Sequence, residues 1–179
     1  MNQFMLALAL GKVVHGLLVS VVTVALGTHG LAKALKLGPV SDSLAQGNHA
    51  VAVLYVGSIG SLALLARHSV TAPFVALDLM LHTQETSWLL FMWFAIYATV
   101  HVGLALFIGA AAIGTAVLVF NALTRRVDEL QLIREGKLAP ALVLAAVMVA
   151  TACLLAPGLA SALDALLPMP ALGRYVLPI

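Results

Sequence analysis

Trp88-Leu89-Leu90-Phe91-Met92-Trp93-Phe94-Ala95-Ile96-Tyr97 opens a run that continues to Leu123 without a single Asp, Glu, Lys or Arg. A helix of about 20 apolar residues is enough to cross a bilayer. This run of about 36 residues is therefore a membrane span with length to spare, which implies tilt or a protruding end. Its rings gather at the start, where aromatic side chains anchor at headgroup level. The whole chain has the same character. Of its 179 residues 63 % are apolar and only 9 % are charged, against about 25 % in an ordinary soluble domain. With a mean hydropathy of +1.10, too few charges remain to coat a soluble surface. A net charge of +2, with no basic run longer than Arg125-Arg126, excludes nucleic-acid binding. The single Cys153 excludes an intramolecular disulfide framework.

Working outward, three more spans emerge. The first runs from about Phe4 to Leu35 and encloses Lys12, His15 and His29. No basic residue precedes it, so it reads as a retained span rather than a signal peptide. A polar turn over residues 38–43 and then Gln46-Gly47-Asn48 lead into the second span, about His49 to Ala66. Residues 67–87 hold Arg67, His68, Pro73, Asp78, His82, Gln84 and Glu85, which are too many polar groups for a span. Phe74, Leu77, Met80 and Leu81 fit helical spacing there and predict a short interfacial helix near residues 73–82. Beyond the polar loop from Thr124 to Lys137, the fourth span is expected from Leu138 to Ala156, stopping at Pro157-Gly158. The expected fold is all-α: one transmembrane domain of four membrane helices in two tandem hairpins, plus the interfacial helix. Repeat one covers about 5–66, the connection about 67–87, repeat two about 88–160, and an interfacial tail 161–179. Six of the nine basic residues follow spans one and three, which predicts those loops in the cytoplasm and both termini outside.

Set against itself at an offset of 89 residues, the chain aligns Leu44-Ala45-Gln46-Gly47-Asn48-His49-Ala50-Val51-Ala52-Val53 with Ile133-Arg134-Glu135-Gly136-Lys137-Leu138-Ala139-Pro140-Ala141-Leu142. Each copy has an apolar residue, a polar pair, a glycine, and then alanines opening a span. The phrase Gln-Gly-Asn-His-Ala-Val-Ala-Val resembles the signature of the bacterial domain-of-unknown-function family 350, also catalogued as uncharacterised protein family 719. The resemblance extends over roughly residues 5–160. It implies a small inner-membrane protein with two such repeats, and no established activity. The second copy departs from the pattern at Lys137, where Asn is usual, and at Pro140.

Candidate binding residues are Gly47, Asn48, Gly136 and Lys137. Asn is a favoured N-cap and glycine permits conformations that side chains forbid, so capping explains most of this pattern. The same exposed amides, with Lys137, could instead hold an anionic group. Small residues four apart (Gly16 and Ser20, Gly57 and Ser61, Ala110 and Gly114, Ala141 and Ala145) suit close helix contact, within the chain or between copies. Ionisable residues within spans are functional candidates, which singles out His15, His29 and His101. His15 and His29 fall only about 40° apart on one helix face. Their spacing is similar to the paired haem ligands of cytochrome b helices, so haem b is the alternative cofactor, shared between His15 and His101 or His29. All carboxylates, Asp164 included, are expected outside the spans, leaving no partner to orient a catalytic histidine. No His/Cys cluster for zinc is legible. The favoured expectation is a non-enzymatic inner-membrane protein without a cofactor. Its partners would be the lipid bilayer and copies of itself or another membrane protein. It would serve as a structural or accessory component, or as a small-solute or ion-permeation subunit.

Overall fold

The computed structural model describes residues 3–83, 87–124 and 128–166, and these contain helices and no strands. The first hairpin begins with α1 (Gln3–Ala25), which passes through a π-turn (Leu26–Gly30) into α2 (Leu31–Ala34) without leaving helical geometry. The six-residue α3 (Val40–Ala45) then precedes α4 (His49–Thr83). The second hairpin repeats the plan with α5 (Trp88–Leu123), the six-residue α6 (Glu129–Arg134) and α7 (Leu138–Leu166). Four helices are long and apolar enough to cross a membrane: Met5–Ala34, His49–Leu81, Trp88–Leu123 and Leu138–Leu166.

Two expectations are corrected. Residues 67–83 form no separate interfacial helix but continue α4 through Pro73. Likewise α7 does not stop at Pro157-Gly158 and runs ten residues further than Ala156, so the expected tail begins as helix. A proline inside a helix removes one backbone donor and crowds the preceding turn. In a packed membrane bundle, neighbouring helices and hydroxyls compensate for this. Pro73 is fully buried among the packed helices. The remainder of the tail, 167–179, and Arg125-Arg126 lie outside the described residues.

The centre of the bundle is α4. It runs parallel to α7, because Gly57 meets Ala145 and Met148 while His68, further along, meets Asp164. It runs antiparallel to α5, with Leu62 and Leu65 against Gly109 and Phe74 against Phe94. It is also antiparallel to α1, as Ile59 packs on Gly27, Val70 on Gly16 and Phe74 on Gly11. Leu54, Leu62 and Leu65 of α4, with Ile113, Phe120, Leu144, Met148 and Leu163, fill the core. By contrast α1 leaves Leu10, Leu17, Leu18 and Val21 exposed and buries little besides Val19 and Thr23. In a bilayer that face is left for lipid or another membrane helix to cover. At about 1.5 Å per residue, α4 and α5 are each about 50 Å long against a hydrocarbon core of about 30 Å.

Both hairpin turns are built alike. Gly47 N and Asn48 N donate to Leu44 O and Ser43 O. At the same offset of 89, Gly136 N and Lys137 N donate to Ile133 O and Leu132 O. Each is a helix C-terminus closed by a left-handed residue, Gly47 at φ +70° and Gly136 at φ +85°.

Candidate functional site

The four turn residues singled out in the sequence come together. Asn48 Oδ1 accepts from Val51 N at 3.1 Å and so caps α4. Its Nδ2 crosses to the other turn and donates to Arg134 O at 3.0 Å and Ile133 O at 3.4 Å. The Arg134 guanidinium in turn donates to Leu35 O at 2.7 Å, at the end of α2. Asn48 and Arg134 thus stitch both hairpins at one end of the bundle. Lys137 stands at the equivalent place in the second turn with an exposed side chain. The arrangement satisfies helix ends that would otherwise carry unpaired groups.

The three span histidines separate. His29 is exposed, and its Nδ1 contacts Ala25 O of its own helix at 3.0 Å and Thr28 Oγ1 at 3.3 Å. His15 lies about 21 Å away along the same helix. Its ring stacks at a tilt on Phe74, centroids 5.6 Å apart, beside an apolar cleft of about 450 Å³ between α1, α4 and α5. His101, on α5, meets neither of them through its ring. It is fully buried, with its ring 5.7 Å from that of His68 on α4 and 5.6 Å from that of Tyr97.

His68 Nε2 lies 3.0 Å from Asp164 Oδ1 on α7. One nitrogen from each histidine and one Asp164 oxygen fall within 4.8 Å of one another, a donor set that could hold a metal ion. This corrects one sequence expectation: Asp164 lies on a long membrane helix, where it orients a histidine. The cluster is hidden in the sequence because polar residues and Pro157 end the expected spans at Ala66 and Ala156, short of His68 and Asp164. The signal was the unbroken helix-forming stretch Leu159-Ala160-Ser161-Ala162-Leu163-Asp164-Ala165-Leu166. Neither ring nitrogen of His101 has a hydrogen-bond partner among the described residues. A buried polar group left unpaired costs about 1–3 kcal/mol. His101→Leu is therefore expected to raise the melting temperature of chelator-treated protein by a few degrees, read by thermal unfolding in detergent. A fall would mean that the ring is already satisfied.

Two further cavities flank α4. A groove of about 590 Å³ between α1 and α4 is mostly apolar but carries Ser20, Thr23, Arg67 and Thr71. A cavity of about 420 Å³ between α4 and α7 is lined by Arg67, His68, Thr71 and Pro157 among others. Comparison with known proteins adds one match: the model of the family described as Domain of Unknown Function (DUF350) fits residues 5–159, most of the chain. No curated protein and no solved structure matches.

Proposed function

We infer that this chain, which belongs to the DUF350 family, is a self-associating, non-enzymatic protein of a bacterial inner membrane whose copies together form a path for a small solute or ion. One observation carries the reading. Towards the turn end the core between α4, α5 and α7 is filled by aliphatic and aromatic side chains, with His101 and the small cavity beside His68 lying further along, whereas hydroxyls and Arg67 line the outward groove between α1 and α4. A single bundle packed this way offers no wide interior, so a polar path has to run between copies, along that groove. The small, exposed Ser20 on the rim of that groove leaves room for a neighbouring helix to approach. The matching turns at an offset of 89 support a duplicated hairpin as the building unit. Lys33, Lys36, Arg134 and Lys137 at the turn end favour that end in the cytoplasm.

The test is cysteine cross-linking in native membranes, in a Cys153→Ser background. Single cysteines at Leu17, Ser20, Val21 and Val24 are expected to form covalent dimers, while Phe107→Cys on the exposed face of α5 stays monomeric. Reconstituted vesicles then report flux, with Arg67→Ala changing its rate or ion preference. A protein that stays monomeric at native density, with no position cross-linking, overturns the reading.

A further inference from the structure

We propose that His68, His101 and Asp164 form a binding site for a divalent transition-metal ion of the zinc class. Three helices, α4, α5 and α7, contribute one ligand each, and the candidate donor atoms lie within 4.8 Å of one another. Two ligands each about 2.0–2.1 Å from a tetrahedral zinc are about 3.3 Å apart. The pair His68 Nε2 and Asp164 Oδ1 already stands at 3.0 Å. The third donor, a ring nitrogen of His101, lies within 4.8 Å of both, so a closer approach of that ring completes the set.

A second, independent observation points to a ligand. His101 is 0 % exposed, yet neither ring nitrogen has a hydrogen-bond partner among the described residues, and its ring faces His68. A neutral imidazole has one donor and one acceptor nitrogen, and buried ones are normally paired. Coordination occupies the acceptor lone pair. Two imidazoles and one carboxylate favour zinc and the other imidazole-preferring ions over calcium or magnesium, which take all-oxygen sets. The site is accessible: His68 and Asp164 side chains are 30 % and 49 % exposed, and the cavity between α4 and α7 adjoins His68. That cavity leaves a fourth coordination position for water or a small anion, and Arg67 in its wall favours the anion. The assignment is independent of self-association, since all three ligands belong to one chain.

The full chain, carrying no histidine tag, is purified in detergent, treated with chelator, and titrated with zinc alone. Bound metal is measured by elemental analysis and affinity by calorimetry. The expected result is one zinc per chain, weakened at least tenfold in each of His68→Ala, His101→Ala and Asp164→Asn, and unchanged in His29→Ala and His49→Ala. His68 and Asp164 are exposed enough for their variants to fold even if His101→Ala does not, so the comparison survives that loss. Cobalt in place of zinc is expected to give visible ligand-field bands that vanish in Asp164→Asn. Zinc bound equally well by the His68→Ala, Asp164→Asn double variant overturns the proposal. So does a stoichiometric haem spectrum lost in His101→Ala, which would assign that ring to haem.

Discussion

Replacing Gly57 by valine is expected to lower the melting temperature of the detergent-solubilised protein by about 6–12 °C, corresponding to about 3 kcal/mol at this chain length. A Cβ at Gly57 would lie 2.8 Å from the Ala145 Cβ and 3.0 Å from its Cα. Neither atom can swing aside, because both are fixed to the backbone of α7. The two parallel helices must then move apart, and close backbone approach is what holds helices together where lipid is as apolar as the interface. Valine adds two methyl groups in the same direction, towards the Met148 methyl at 3.3 Å. Ala145→Gly removes the Cβ but leaves the Cα, and is expected to restore part of the loss, a coupling that a double-mutant cycle measures. A Gly57→Val protein that melts like wild type would mean the helices are not packed at this distance.

Asn48→Ala is expected to cost about 2 kcal/mol, roughly half from the lost α4 cap and half from the bond across to the second turn. Asn48→Ser separates these contributions. Its hydroxyl can still accept from Val51 N, but it is too short to replace Nδ2 on the Arg134 and Ile133 carbonyls. Thermal unfolding is therefore expected to rank wild type above Ser and Ser above Ala, in steps of about 1 kcal/mol. Lys137→Ala, at the equivalent position but exposed, is expected to stay within a few tenths of a kcal/mol. Serine and wild type melting together would show that the cross-turn bond contributes nothing.

Which parts of this architecture could be read from residues alone follows from how they are encoded. Spans without a charge, such as Trp88–Leu123, declare themselves by length and composition, and the structure keeps those limits. The Gly-Asn and Gly-Lys turns were legible because a glycine just ahead of an apolar span marks the left-handed residue that closes one helix before the next begins. The far ends of α4 and α7 were not. Pro73, Pro157 and the polar residues around them read as breakers, whereas the packed helices tolerate both prolines and continue. His101 stood out as an ionisable residue deep in a span. Its neighbours could not, because no local pattern records which turn of α4 or α7 faces which turn of α5. The bond from Asn48 to Arg134 is similar: self-comparison showed two alike turns, but not that they touch.

The π-turn at Leu26–Gly30 has a further consequence for α1. Val19, Thr23, Gly27, Leu31 and Leu35 are all buried, at a constant step of four residues. In a plain α-helix such a column drifts by about 40° at each step and would wind away from α4. The wider turn acts like one inserted residue and resets the phase midway, so the buried column of α1 continues through it into α2. Ser58 Oγ donates to the Gly27 carbonyl at that point, at 3.1 Å. Deleting Ser20, in the plain helix ahead of that turn, would leave the hydropathy of the span almost untouched, yet everything before it would rotate by about 100° about the helix axis. His15 would turn off Phe74, and Gly16 would no longer face Val70. Along α1, the number of residues between two contacts thus carries information that their apolar character does not.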